Sequence, residues 1–450
     1  MTTNGIAANG IAEGGHEGRH DGRHDGRHGG RHGGRHGAGH DGGHGGGHEG
    51  RHAGAHRGGH GGRHERITVV GGGIAGLVAA ITCAEGGAGV RLIEAHGSLG
   101  GRARTDEGPY RTNFGPHALY QDGPLWAWLS ERALLPRVAS PSLGGIRVRW
   151  QGQLRRLPPL RILPAVLRLR GLEAPVERDF RSWVRDRADE EVAALLSATA
   201  GVFTFHHDPG ELSAAFVWPR LMRSFHVPPP ARFPIGGWGA LVVRLEARAR
   251  ELGVEIELGS AVDALPEPPV IVATELGEAA QLLGDPTLEW SSTHTVCLDV
   301  ALATRRRDPY VVSDLDECGW IERFTANDRT LAPAGEELVQ AHLGMRPGEE
   351  PDMAQARLER LFDLSFPEWR ARVRWRRRQV MHGRTGALDL PGTSWRDRPA
   401  IDRGEGVFLA GDMVAAPGLL SEVAFQSALQ AGRGALEAAR ISRPSLLEVA

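Results

Sequence analysis

The chain has 450 residues and a mass of 48.4 kDa, length for roughly two or three domains. With 24% charged and 40% hydrophobic residues it suits a globular protein, which excludes whole-chain disorder and a multi-span membrane protein. A net charge of −2 makes no global case for binding nucleic acid, and Cys83, Cys297 and Cys318 are too few and scattered for a disulfide framework or a Cys-based zinc site.

Residues 1–65 stand apart. Histidine recurs at every fourth position from His16 to His64, between Gly, Arg, Asp and Ala, and apolar side chains are nearly absent. Nothing there offsets the entropy of ordering, so a disordered low-complexity tail is expected. Neutral imidazoles such as His16, His20, His24, His28, His32 and His36 make a divalent metal on the tail one reading. A repeat expanded by replication slippage, with incidental metal affinity, is the plainer one. The start of the sequence shows no apolar signal core, so a cytoplasmic protein is expected, with peripheral contact at an anionic membrane as a variant.

The body opens at Arg66. Ile67-Thr68-Val69-Val70 reads as a strand and Gly71-Gly72-Gly73-Ile74-Ala75-Gly76 as a turn. An Ala-rich helix from Leu77 to Glu85 follows, then a strand Val90-Arg91-Leu92-Ile93 ending in Glu94. Pro158 to Val227 reads as several helices interrupted by proline. Pro234-Ile235-Gly236-Gly237 precedes a helix from Trp238 to Leu252, a strand Val254–Leu258, an apolar strand Val270–Ala273 and a helix Glu275–Leu283. Thr293–Leu302 and Leu338–Leu343 read as strands, and Pro351–Leu364 as a helix. Arg372, Arg374 and Arg376 alternate with Val373 and Trp375, which predicts a strand with one solvated Arg face. Val407–Ala410 is a strand, Gly411-Asp412 a turn, and Leu420–Ala439 a long helix.

Strand, Gly71-x-Gly73-x-x-Gly76 turn, helix, strand and terminal acid together make a dinucleotide-binding βαβ unit. The first glycine permits the turn, the second lets the backbone approach a pyrophosphate, and the third lets helix pack on strand. The helix N-terminus offers N–H groups to phosphate, and Glu94 can accept hydrogen bonds from a ribose diol. A purely structural glycine turn is the alternative.

Further motifs add a resemblance. Gly100-Gly101-Arg102-x-x-Thr105, Asn113-Phe114-Gly115-Pro116-His117, Pro234-x-Gly236-Gly237 and Ala410-Gly411-Asp412 followed by Ser421–Ala428 occur in order from Ile67 to about Leu436. In this they resemble the flavin amine-oxidase, protoporphyrinogen-oxidase and phytoene-desaturase superfamily. The resemblance implies an α/β fold: a Rossmann-like FAD-binding domain (66–145, 232–290 and 400–440) with a discontinuous α+β substrate domain (146–231 and 291–399). It implies noncovalent FAD, with Gly71, Gly73 and Gly76 at the pyrophosphate and Glu94 on the adenosine ribose. Gly101 and Arg102 would line the phosphates and ribityl chain, and Gly115 and Pro116 the isoalloxazine. Val262 would contact the adenine side, Gly411 and Asp412 the pyrophosphate or ribityl region. The helix N-terminus near Ser421 and Glu422 would face the flavin pyrimidine. The bland readings are a surface ion pair for Arg102 and a cap for Asp412.

Two departures narrow the chemistry. All 53 basic residues are Arg, so the Lys that many flavin amine oxidases place near flavin N5 is absent. Leu420 stands where those enzymes carry a cage aromatic. The expected function is therefore hydride removal from a hydrophobic small molecule, desaturase-like or protoporphyrinogen-oxidase-like. A redox-neutral flavin isomerase or mutase, an amine oxidase, and a non-enzymatic His-rich metal-binding protein are the alternatives. His117 is the candidate acid–base residue, against a plain packing role. No metal is expected in the body: His206-His207-Asp208 is discounted because adjacent side chains diverge on a helix or strand.

Overall fold

A computed structural model describes residues 66–115, 118–142 and 144–441. The tail histidines, Pro116 and His117 lie outside the described residues, and with them the expectations placed on them.

The chain begins with β1 (Arg66–Val70), α1 (Ile74–Glu85) and β2 (Gly89–Ile93). After β3 (Leu119–Tyr120), α2 (Pro124–Glu131) and β4 (Val138–Ala139) comes the hairpin β5 (Ile146–Trp150) and β6 (Gln153–Arg155). A helical stretch follows: α3 (Ile162–Leu169), α4 (Phe180–Arg185), α5 (Glu190–Thr199), α6 (Gly201–Thr204) and α7 (Ala214–Ser224). Next are β7 (Ala231–Pro234), α8 (Gly239–Glu251), β8 (Glu255–Glu257), β9 (Val270–Val272) and α9 (Leu276–Leu283). Then β10 (His294–Ala303), β11 (Val311–Asp314), β12 (Trp320–Arg323), β13 (Glu336–Gly344), α10 (Pro351–Ser365), α11 (Trp369–Arg372) and β14 (Val373–His382). The chain closes with β15 (Val407–Leu409) and α12 (Ser421–Ile441).

Two main sheets organise these elements. The first is wholly parallel, in the order β15-β9-β1-β2-β8. The strands β15, β9 and β1 are near-continuous apolar runs, as expected where helices cover both faces, whereas β2 and the edge strand β8 carry Arg91, Glu255 and Glu257. Small residues let α12 lie close on α1: a β-carbon at Gly432 would stand 3.0 Å from Thr82, and one at Gly86 would strike Leu436 at 2.4 Å. The strand order reverses at β1. Such a reversal leaves a crevice beyond the carboxyl ends of the strands, where ligands bind in open α/β sheets.

The second sheet is mixed, in the order β14-β10-β13-β12-β11-β5-β6, with α10 packed on one face. On β14, Arg374 and Arg376 are exposed, as the alternation predicts, but Arg372 is not part of that face: it ends α11 and pairs with buried Asp308 at 2.7 Å. A three-stranded sheet, β3-β7-β4, completes the set. The helices α3 to α7 enclose their own core around Phe180, Trp183 and Trp218. Aspartates start two of them: Asp179 and Asp189 accept from the Ser182 and Val192 N–H groups at 2.8 and 2.9 Å.

Proline interrupts less than expected. Pro164 falls in the first turn of α3, where an N–H has no helical partner, and Pro219 is carried inside α7. The hairpin β5–β6 and the short strands β11 and β12 escape the sequence reading because three to five residues are too few to show a period.

Candidate functional site

The turn after β1 is built by close approach. Gly71 has φ +103°, and a β-carbon there would lie 2.6 Å from the Ala273 carbonyl oxygen; at Gly76 it would lie 1.8 Å from the Gly71 oxygen. Gly73 differs. Its φ is −71°, and a β-carbon would meet nothing within 4 Å. Among the described residues no packing requires Gly73 and no side chain caps α1, so its first N–H groups face the open space above the turn.

Glu94 is buried at the end of β2. Its Oε2 accepts the Gly72 N–H at 2.7 Å, and its Oε1 accepts the His96 N–H at 2.9 Å and lies 2.7 Å from His96 Nδ1. The Ser260 N–H donates to the Glu94 carbonyl at 3.0 Å, which brings the loop carrying half-buried Val262 alongside.

Across the turn, Gly100 and Gly101 follow a backbone bond from the Gly100 N–H to the Gly72 oxygen at 2.8 Å, and Gly101 packs against Gly73. Arg102 then extends to Asp412 in a two-pronged pair, 2.8 and 2.9 Å, and donates to the Arg384 carbonyl at 2.7 Å. Burial alone would raise the Asp412 carboxyl. The Arg102 charge and hydrogen bonds outweigh it and hold Asp412 below the ordinary carboxylate range. Asp412 also raises the Arg102 guanidinium. Gly411 is fixed by Ser427 on α12, whose hydroxyl both accepts from the Gly411 N–H and donates to its carbonyl at 2.9 Å. A cavity of about 430 Å³ opens beside this pair, lined by Arg102, Thr274, Glu275, Asp412, Trp290 and His382 among others.

The remaining motif residues interlock. The Thr105 hydroxyl donates to Asn113 Oδ1 at 2.8 Å and accepts the Gly239 N–H at 2.8 Å, which serves the start of α8. Asn113 Oδ1 also accepts the Trp238 N–H at 3.1 Å. Gly237 has φ +83°, and a β-carbon there would crowd Thr105 at 2.5 Å. Thus the three motifs around Thr105, Asn113 and Gly237 meet at one point and position Gly115, itself at φ +115°. From the second sheet, buried Asp299 binds Arg377 at 2.7 Å and Gln340 at 2.5 Å, and Arg377 donates to the Asn113 carbonyl at 3.2 Å. Burial raises the Asp299 carboxyl despite these donors.

Before α12, Leu420 has φ +56°. Ser421 opens the helix. The Glu422 carboxylate is held by Arg223 at 2.8 Å and by the Leu419 N–H at 3.0 Å, an engagement that sequence spacing does not disclose. Leu420 and Val423 line a second, small cavity of about 20 Å³ with Phe203, Phe216, Arg220 and Asp412.

One expectation is corrected. His206 and His207 do not diverge: their rings lie 4.3 Å apart, and with exposed Glu211 they place ligand-type atoms within 4.8 Å of one another. The reason is Phe205, whose left-handed backbone (φ +58°) ends α6 and puts the pair in a turn rather than on a helix or strand. His206 Nδ1 lies 2.8 Å from the Asp208 carbonyl.

Among known proteins, residues 69–132 match the family model described as an NAD(P)-binding Rossmann-like domain. A comparison with curated protein sequences found no match. Solved structures are similar over most of the chain. An oxidoreductase from Methanosarcina mazei is 16% identical, with 81% of this chain and 99% of that one covered and a TM-score of 0.67. Cyclohexylamine oxidase from Brevibacterium oxydans is 15% identical, with 84% and 99% covered and a TM-score of 0.64. A candidate protoporphyrinogen oxidase from an Exiguobacterium species is 16% identical, with 84% and 99% covered and a TM-score of 0.62. The chain therefore has the fold of the flavin amine-oxidase and protoporphyrinogen-oxidase-like oxidoreductases: a Rossmann-like domain joined to a second, mixed-sheet region. Among the described residues, no helix is long and apolar enough to cross a membrane.

Proposed function

We propose that this protein is an FAD-dependent oxidoreductase that removes a hydride from a carbon of a hydrophobic small molecule. The observation that carries the reading is Gly73. It is a glycine that neither the backbone conformation nor packing requires, at the uncapped N-terminus of α1, with Glu94 anchored beside it. Free space over a helix N-terminus fits a pyrophosphate.

In this reading Gly71, Gly73, Gly76 and Gly101 shape the pyrophosphate cradle, Glu94 receives the ribose hydroxyls, and Val262 borders the adenine. Arg102 and Asp412, fixed by each other, bring one charge of each sign to the phosphate and ribityl region. Gly115 presents backbone to the ring system. The N-terminus of α12 adds a positive dipole end that favours negative charge on the cofactor. When bound, the flavin supplies the hydride-accepting chemistry. The chain's own part is position and dryness: Phe203, Phe216, Leu420 and Val423 present apolar surface from which water is excluded.

The test is direct. Denaturing the purified protein should release FAD into the supernatant. Anaerobic mixing with polyenes, porphyrinogens and primary amines should bleach the flavin with a carbon-rich substrate rather than a simple amine. No released FAD, or rapid bleaching by amines alone, overturns the proposal.

A further inference from the structure

Three charged groups of the described chain line the small cavity before α12: Asp412, Arg398 and Arg220. Two are neutralised. Asp412 is bound by Arg102, and Arg398 is bound in a two-pronged pair by buried Asp389 at 2.9 and 2.8 Å. Arg220 is not. It is 7% exposed, and no carboxylate lies in ion-pair contact with it among the described residues. Its NH1 donates to the Phe216 carbonyl one turn back at 2.7 Å, its guanidinium stacks on the Phe216 ring at 3.5 Å, and its Nε has no hydrogen-bond partner among the described residues.

A buried cation with no carboxylate in contact is costly, and here the nearby Arg398 charge works against it while Asp389 and Glu422 act on it only at longer range. Burial lowers the Arg220 guanidinium to about 9, which still leaves it charged at neutral pH. Replacement by an apolar side chain should, on stability alone, be neutral or favourable. The arrangement is accounted for if the cavity receives an anion, because a planar fork of N–H donors matches a carboxylate. About 20 Å³ admits an oxygen-sized group and not a whole molecule. Around it, Phe203, Phe216, Leu420 and Val423 are apolar.

We infer that Arg220 is a substrate-binding residue and that the substrate is an otherwise apolar molecule carrying a carboxylate, one oxygen of which enters the cavity to meet the Arg220 guanidinium while the carbon body stays outside it. This deepens the proposed function and rests on it for the cavity's place beside the cofactor. The anion-binding claim itself depends only on the residues named.

Calorimetric titration of the full-length protein with phenylacetate and with its neutral counterpart phenylacetamide tests it. The wild-type protein should prefer phenylacetate by roughly tenfold or more, the scale of one charge-assisted hydrogen-bonded contact. Arg220→Met should abolish the preference while unfolding at an equal or higher urea concentration. Arg220→Lys, which keeps charge but loses the fork, should retain part of it. Equal affinities in the wild type, an undiminished preference in Arg220→Met, or failure of Arg220→Met to fold would each overturn the inference. If there is no carboxylate preference and Arg220→Met instead changes how the reduced flavin's absorbance varies with pH, the anion belongs to the cofactor and the substrate assignment falls. Calorimetry reads the carboxylate with or without flavin, so absence of FAD would sink the proposed function and leave this result separately readable.

Discussion

Arg223 on α7 and Glu422 in the first turn of α12 meet at 2.8 Å, with 12% and 7% of their side chains exposed. The contact joins the helical region to the last helix of the Rossmann-like region. Gly123 must stay small for it: a β-carbon there would stand 2.0 Å from Glu422 Oε1. Burial would lower the Arg223 guanidinium, but Glu422 and Asp122 outweigh it and raise it. Arg223→Met leaves the Glu422 carboxylate with the Leu419 N–H alone, an expected loss of about 3–5 kcal/mol in urea unfolding. Adding Glu422→Gln should recover part of that loss. A single variant as stable as the wild type would show that the pair contributes nothing.

The glycines of the first turn should separate. Gly76→Ala drives a β-carbon into the Gly71 carbonyl, at an expected cost on the order of 3 kcal/mol. Gly73→Ala meets only open space at an ordinary φ, so its stability should lie within about 0.5 kcal/mol of the wild type. Its FAD content should nevertheless drop. Full FAD occupancy in Gly73→Ala would remove the pyrophosphate from this position.

Glu94 has two tasks that two variants can part. Glu94→Ala deprives the buried Gly72 N–H of its acceptor, at about 1–3 kcal/mol, and should also weaken FAD retention. Glu94→Gln keeps an acceptor oxygen for Gly72, so its melting temperature should fall less. The FAD-to-protein ratio after gel filtration, read beside the melting temperature, distinguishes the ribose role from the structural one.

Two buried groups should give opposite pH signatures. Burial pushes His342 down to about 3. Both folded and unfolded chains hold it neutral above its ordinary value near 6.5. As pH falls below that, the unfolded chain binds the proton first, and stability is lost progressively toward pH 3, by up to about 1.4 kcal/mol per pH unit. Burial raises Glu322, bonded to the Tyr310 hydroxyl at 2.9 Å, to about 7. Its contribution is present below the ordinary glutamate value and is lost as pH rises through 7. Relative to the wild type, His342→Leu should therefore gain stability as pH falls below 6.5, and Glu322→Gln should gain as pH rises from about 4.5 to 7. Urea midpoints measured across this range check both signs.

Leu420→Tyr should lower turnover without loss of FAD. Leu420 lines a cavity of about 20 Å³, which has no room for a phenol ring. Faster oxidation of primary amines by this variant would restore the amine-oxidase alternative.

The first βαβ unit was legible in the sequence because its parts are contiguous: an apolar strand, glycines placed by local backbone demands, an Ala-rich helix and the acid ending the next strand all fall between Arg66 and Glu94. The order of the later motifs carried the fold for the same reason, since each is a short local pattern. Their mutual engagement was not legible. Thr105, Asn113 and Gly237 meet only through tertiary packing, and Glu422 turns to Arg223, a residue far back along the chain. His206 and His207 converge because the fold holds Phe205 left-handed, which no side-chain period encodes. Arg220 looks like any other arginine in an arginine-rich chain. Its isolation follows from where Asp389, Arg398, Arg102 and Asp412 come to rest, and those pairings exclude it. Local backbone preference and apolar periodicity act over a few residues, so the sequence discloses them. Desolvation and charge pairing depend on neighbours drawn from the whole chain, so only the folded arrangement decides them.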